Sequence, residues 1–303
     1  MRIGVDLGGT NIRAALVDGQ TIIRKAKSPC PAKGTCEEVL ETVAGLISEV
    51  LCEGVEAIGI GVPSVVDTRR GIVYNVANIP SWVEVPLKDI LEKRFGIPVN
   101  INNDSNCFTL GESRFGKGQG FGNMVGVTLG TGVGSGIVIN GEVVYGHDGF
   151  AGELGHVAAV RNNGRTCGCG KTGCLETYAS ATGVARTARE WLELTDEPSV
   201  LRSLDNIASK DVYEAAKDGD KLALKIFEFT GKILGRSFAD FIAFSSPEAI
   251  VLFGGLARAK EFLTAPIEEA MNANVLPLWR GKVKVVYSQL KESDAAILGA
   301  SAL

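Results

Sequence analysis

The chain has 303 residues, 45% of them hydrophobic and 22% charged, and its 31 basic and 35 acidic side chains give a formal net charge of −4. These proportions exclude a disordered chain, and with no Lys/Arg-dense run there is no footprint for a nucleic-acid backbone. The longest apolar stretches, Ala57–Val66 and Ala249–Ala257, are about ten residues long and broken by glycine, too short to cross a bilayer. At this length a single core stops growing, so two domains are expected. Asp6 falls where an export signal would carry its apolar region, which makes the cytoplasm the expected location.

The chain opens on a repeat. Val5–Val17 (VDLGGTNIRAALV) aligns without gaps to Val127–Ile139 (VTLGTGVGSGIVI), an offset of 122, and each copy runs into a turn dipeptide, Asp18-Gly19 or Asn140-Gly141. Each copy therefore reads as strand, glycine bend, strand, tight turn, strand, with positive φ at both turn residues. Val39, Leu40, Val43, Leu46, Ile47 and Val50 recur at helical spacing within Thr35–Cys52, and a buried strand follows at Ala57–Val62. Leu87–Phe95 reads as a short helix closed by Gly96, and Val99–Asn102 as a strand. Lys221–Phe244 is a long helix, Glu248–Phe253 a buried strand, and Ser293–Leu303 a small-residue helix capped by Ser293.

This order implies an α/β architecture of sheets covered by helices. The expected division is a smaller N-terminal α/β domain over 1–113 and a larger α/β domain over 114–292, facing one cleft. The boundary falls in Gly111–Gly122, where Gly116, Gly118, Gly120 and Gly122 alternate with other residues, and the last helix, 293–303, is free to return to the first domain.

The two glycine bends are the candidate phosphate sites. Asp6, Gly8, Gly9 and Thr10 combine a carboxylate, glycines that let N–H groups approach an anion, and a hydroxyl donor; Asp6 would hold Mg²⁺ through water. Gly130, Thr131 and Gly132 would supply the second half of the clamp, and Gly254-Gly255 would let an adenine or ribose lie against the backbone. Two other matches fail. Gly168–Gly173 satisfies G-x-G-x-x-G but follows no apolar strand, and Gly170-Lys171-Thr172 has Arg165 where a P-loop needs glycine.

Of the 7 cysteines, Cys167, Cys169 and Cys174 cluster, and with His156 they give H-x10-C-x-C-x4-C within 19 residues. Three thiolates and an imidazole complete a closed, four-coordinate structural zinc site with no position left for catalysis. Asp104 lies in Ile101–Asn106, which closes a strand and opens a helix. It reads either as that helix's N-cap or as the base that takes a proton from a substrate hydroxyl. Asn102, Asn103 and Asn106 crowd it in a way that suits a polyol, while Glu153 and Glu176 could accept from sugar hydroxyls or be plain surface charge.

Together Asp6–Thr10, Asn103-Asp104, Leu129–Gly136, Glu153–His156, Cys167–Glu176 and Leu252–Gly255 resemble the ROK family of bacterial sugar kinases, over the whole chain. The resemblance implies an actin-like ATPase (ribonuclease-H-like) fold of two domains closing on ATP and a hexose. It further implies Asp104 as base, with Asn103, Glu153, His156 and Glu176 on the sugar, His156 serving zinc as well, and Asn78 in a further sugar-contacting region. Ser64 stands where the family often has glycine. The expected activity is transfer of the γ-phosphoryl group of ATP to the 6-hydroxyl of glucose, with Mg²⁺ on the nucleotide and structural Zn²⁺. The alternatives are another hexose (fructose, mannose, allose or an N-acetylated amino sugar) or a non-catalytic sugar sensor. No nucleic-acid or membrane partner is expected, and a homodimer is the family's habit. Its repressors carry an additional helix-turn-helix domain, for which a first strand at Ile3 leaves no room.

Overall fold

A computed structural model describes residues 1–303, the side chains of Glu292 and Ser293 excepted. The first strands are β1 (Arg2–Leu7), β2 (Asn11–Asp18) and β3 (Thr21–Pro29). Helix α1 (Cys36–Val50) opens on a reciprocal cap, in which the Glu38 N–H donates to the Thr35 hydroxyl and the Thr35 N–H donates to the Glu38 carboxylate. Next come β4 (Ala57–Val62), the short β5 (Val65–Asp67), β6 (Ile72–Tyr74) and β7 (Glu84–Val85), then α2 (Leu87–Phe95). Gly96 ends α2 in the left-handed region, at φ 67°, as its position predicts. The chain continues through β8 (Val99–Asn103), α3 (Asp104–Phe115), β9 (Met124–Leu129), β10 (Val133–Ile139) and β11 (Glu142–Val143). It then forms α4 (Glu176–Ala179), α5 (Ala181–Leu194), α6 (Ser209–Lys217), α7 (Lys221–Ser245), β12 (Ala249–Phe253), α8 (Lys260–Asn274), β13 (Lys284–Tyr287) and α9 (Glu292–Ser301).

The repeat is built twice. One sheet has the order β3-β2-β1-β4-β8 and a second the order β11-β10-β9-β12-β13, so each sets a hairpin run beside two later strands. In the first, β1 is antiparallel to β2 and parallel to β4, and β4 is parallel to β8. In the second, β12 runs parallel to both β9 and β13. A small antiparallel ribbon, β5-β6-β7, forms the third sheet. The two turns differ from expectation in one respect. Asn140 and Gly141 both have positive φ (52° and 80°), but Asp18 stays in β2 opposite Thr21, and Gly19 (φ 58°) begins the first turn. A register shift between Leu16 and Val17 moves that turn on by one residue. Helix α9 likewise starts at Glu292 with Lys291 as its cap residue, and the expected cap by Ser293 lies outside the described residues. Among the described residues no helix is long and apolar enough to cross a membrane.

The chain divides into two compact units, one of Met1–Gly122, Gly136–Gly152 and Ser288–Leu303, the other of Asn123–Ser135 and Glu153–Tyr287. In the first, strand alternation sorts the side chains. Ile3, Val5 and Leu7 of β1 and Ile58, Ile60 and Val62 of β4 join α1 and α2 in a core centred on the fully buried Trp82. The intervening glycines face the other way. A Cβ on Gly4 would lie 2.1 Å from the Ile297 carbonyl oxygen and one on Gly59 1.7 Å from that of Ala300, both in α9. Glycine breaks this apolar strand because α9 lies directly on the sheet. Gly59→Ala is therefore expected to cost ~3 kcal/mol by overpacking, read as a lowered midpoint in chemical denaturation.

The second unit packs α7 and α8 over β9 and β12, with Phe227, Leu234 and Phe238 fully buried. The two helices touch at glycines. A Cβ on Gly231 would come within 2.6 Å of Pro266 and one on Gly235 within 2.3 Å of the Ile267 carbonyl oxygen.

Candidate active site

Parallel sheets present ligands beyond the carboxyl ends of their strands, and the predicted residues of the first unit collect at such ends. Asp6 of β1 lies beside Gly61 of β4, and Gly61 beside Asn102 of β8. Strand β8 runs without a break into α3, which places Asp104 in the helix's first turn. The N-cap is Asn103, not Asp104: the Asn103 Oδ1 accepts from the Ser105 N–H at 2.8 Å and its Nδ2 donates to the Ser64 carbonyl at 3.2 Å. That frees Asp104 from the capping role, and its Oδ1 accepts from the Ser105 hydroxyl at 3.2 Å. A negative charge here is favoured by the helix N-terminus. Burial pushes the Cys107 thiol well up, and the charges of Asp104 and Asp6 add to the effect.

Two of the amides around Asp104 are bonded within the fold. Asn102 and Asn106 are buried at 2% and 3% exposure, and the Asn106 Nδ2 donates to the Asn102 Oδ1 at 3.2 Å. The same oxygen accepts the Asn103 N–H at 2.8 Å. These bonds tie Asn102 and Asn106 to the strand-to-helix junction.

At the first glycine bend, Arg13 donates to the Asp6 Oδ2 at 2.8 Å. Burial raises the Asp6 carboxyl above its ordinary range, against the lowering effect of Arg13. With Oδ2 engaged, Asp6 fits magnesium through a water better than by direct ligation. The Gly8 N–H donates to the Asn11 carbonyl at 3.0 Å and so closes the bend, while Thr10 is exposed. Asn78 is drawn to this bend, since a Cβ on Gly9 would lie 2.6 Å from the Asn78 Cβ.

The second unit repeats the arrangement. Gly130–Gly132 follows β9, and Gly254-Gly255 follows the neighbouring β12, where Phe253 is in register with Thr128. Gly254 has φ 97°, and a Cβ there would sit 2.5 Å from the Leu129 carbonyl oxygen, so no other residue fits. The bend is tied to the α4–α5 junction. The Ala181 N–H donates to the Gly130 carbonyl at 2.8 Å, and the Thr182 hydroxyl to the Thr131 carbonyl at 2.7 Å. Glu176 leans on the same bend, its Oε2 2.7 Å from where a Gly132 Cβ would be. Glu153 is exposed, one residue before a 3-10 turn over Leu154–His156.

His156, Cys167, Cys169 and Cys174 bring their ligand atoms within 4.8 Å of one another. The Cys169 and Cys174 sulfurs are 3.7 Å apart, as are the Cys167 sulfur and the His156 Nδ1. A tetrahedron of zinc–sulfur bonds near 2.3 Å has edges of about 3.8 Å, so the donor set and its spacing fit zinc. Burial holds the Cys167 and Cys174 thiols up, whereas the Lys171 N–H lowers Cys169; an ion that binds here displaces thiol protons. Lys171 also donates from Nζ to the His156 carbonyl at 2.8 Å, fastening the loop to its histidine. Glu176 is no loose surface charge: its Oε1 is 2.9 Å from the Cys167 sulfur and 3.7 Å from the His156 Nδ1.

The sequence pattern of the ROK family matches residues 2–303. The chain belongs to the ROK family. It is 41% identical to the glucokinase of Thermotoga maritima, over 99% of this chain and 96% of that one. With the glucokinase of Halalkalibacterium halodurans the identity is 38%, over 91% and 86%. Among solved structures, the ROK family glucokinase of Streptomyces griseus in complex with glucose and AMPPNP is similar with a TM-score of 0.81 at 36% identity, covering 99% of this chain and 97% of that one. The fold is accordingly the actin-like α/β fold of ROK kinases.

Two side chains of this ROK site were not singled out from the sequence as part of it. Arg13 pairs with Asp6, and Arg165, noted only as a misfit to the P-loop pattern, is buried beside the cysteine loop. A buried arginine two residues before a metal ligand carries no local signal, because its partners Thr177, Gly183, Thr187 and Glu190 are separated from it by 12 to 25 residues.

Proposed function

We propose that this chain is a glucose kinase that moves the γ-phosphoryl group of ATP to the sugar 6-hydroxyl, with Asp104 as the base. What carries the reading is the likeness, over nearly the whole chain, to glucokinases, one of them solved with glucose and AMPPNP. Asp104 accepts the proton of the 6-hydroxyl as its oxygen bonds to the γ-phosphorus, and ADP leaves with the electrons of the broken P–O bond. Asn78, Asn103, Glu153, His156 and Glu176 hold the sugar hydroxyls. The His156 Nδ1 faces the sulfurs, so Nε2 is the ring atom for a hydroxyl.

Asp6, Gly8, Gly9 and Thr10, with Gly130, Thr131 and Gly132, position the phosphates, and Gly254-Gly255 receives the nucleoside. Magnesium on the nucleotide neutralises phosphate charge, and positioning supplies most of the acceleration. Zinc, held by His156, Cys167, Cys169 and Cys174, fixes the loop that carries two sugar contacts. The same reading has the protein act as a homodimer in the cytoplasm, without nucleic-acid or membrane partners; light scattering giving a monomer mass would remove the dimer.

ADP release across a panel of hexoses, with ATP and with polyphosphate as donor, tests the reading. The expected result is the highest kcat/KM for glucose with ATP. A higher value for another hexose would correct the substrate, and no release with any sugar would leave a sugar sensor.

A further inference from the structure

Helix α4 is a single turn, Glu176–Ala179, and one turn does not hold itself together in water. Yet it carries Glu176, whose carboxylate must be placed to a fraction of an ångström if it is to bind a hydroxyl. Something outside the helix has to fix its backbone. The structure supplies it from the cysteine loop, in Arg165.

Arg165 is 8% exposed. Its Nη1 donates to the Thr177 carbonyl at 2.7 Å, inside α4, and to the Gly183 carbonyl at 3.3 Å, in the first turn of α5. Its Nη2 donates to the Thr187 hydroxyl at 2.9 Å and to the Glu190 Oε2 at 2.5 Å, and its Nε to the same oxygen at 3.1 Å. The planar guanidinium thus uses all five N–H donors, which no other side chain offers. It stacks over Tyr178 at 4.5 Å from the ring centroid, while the Arg165 N–H donates to the Tyr178 hydroxyl at 2.8 Å. Arg186 donates to the other Glu190 oxygen at 2.7 Å, so Glu190 is held as well.

We infer that Arg165 is a positioning residue for sugar binding: its guanidinium clamps α4 to α5 and so fixes the backbone from which Glu176 reaches the sugar. The inference rests on the proposed role of Glu176. Arg165 touches neither sugar nor metal. It acts through Thr177 and Tyr178, the two residues after Glu176, and its loss is felt first at the sugar; the Gly130–Gly132 bend is reached one step further on, through Ala181 and Thr182.

Arg165→Lys keeps the charge but cannot reach all four partners, and it leaves buried carbonyls without donors. Calorimetric glucose binding without nucleotide, steady-state kinetics and zinc content are compared with the unsubstituted protein. The expected result is a rise of about tenfold in both the Kd and the KM for glucose. Zinc per chain is expected to stay unchanged, kcat to stay within about threefold, and the KM for ATP to rise less than the glucose Kd, since the clamp reaches the Gly130–Gly132 bend through Ala181 and Thr182. An unshifted glucose Kd overturns the inference, as does an equal rise in both KM values or the loss of zinc from the folded variant. If Arg165→Lys does not fold, Thr187→Val and Glu190→Gln each remove part of the clamp and are expected to raise the glucose Kd about threefold; no shift in either overturns it equally. An unsubstituted protein that neither binds nor phosphorylates a hexose defeats the glucose-kinase reading and this inference with it. Hexose phosphorylation beside an unshifted variant defeats this inference alone.

Discussion

Asp104→Asn is expected to lower kcat with glucose by about a hundredfold to ten-thousandfold, the range for removing a positioned base, while the glucose Kd stays within about threefold. The substitution is close to isosteric. Asn103 remains the N-cap and keeps its bonds to Ser105 and Ser64, so the helix start is preserved. Position 104 can still accept from the Ser105 hydroxyl, because an amide oxygen replaces a carboxylate oxygen. What is lost is the capacity to take a proton. Rapid-quench or coupled-assay kinetics read kcat and calorimetry reads binding. A variant that turns glucose over at near the original rate would remove Asp104 from its role. One that has lost glucose binding to the same extent as turnover would make it a binding residue instead.

Cys174→Ser is expected to reduce zinc from one ion per chain to none and to weaken glucose binding by about 10- to 100-fold, the range for disturbing groups that orient a metal site's surroundings. Cys174 is fully buried, and its sulfur lies 3.7 Å from that of Cys169. Without the ion the three thiols share no common centre, and the loop they close also contacts Glu176 through Cys167 and His156 through Lys171. The KM for ATP is expected to change less than the glucose Kd, because the loop meets the Gly130–Gly132 bend indirectly, through Glu176. Metal analysis of freshly purified protein and glucose calorimetry check both halves. Unmodified protein without zinc would overturn the assignment of the metal, and zinc loss with unchanged glucose affinity would detach the loop from the sugar.

What could be read in advance was local. Gly96 ends α2 because only its neighbours and its own left-handed φ are involved, and the strand–bend–strand repeat is legible because glycines and turn residues act within a few positions. The cysteine–histidine cluster was visible for the same reason: His156 to Cys174 span 19 residues, so the four side chains can meet whatever surrounds them. Other readings failed over a single residue. Asn103 and not Asp104 took the cap, and the Asp18-Gly19 turn moved on by one, because strand register and helix start compete within hydrogen-bond geometry that residue type does not rank.

Sequence by itself determined the architecture, the repeated glycine bends, the cysteine–histidine set and the kinase family. Tertiary structure alone decided that Gly4 of β1 and Gly59 of β4 lie under α9, that Asn102 and Asn106 bond to each other, and that Arg165 reaches Thr177 and Glu190. The physical difference is range. A turn, a cap or a chelating loop is stabilised by atoms a few bonds away, so its residues announce it. A buried guanidinium or a helix resting on bare glycine depends on partners that folding alone brings close, as the Arg165–Thr177 bond of 2.7 Å and the lack of room for a Cβ between Gly59 and Ala300 show.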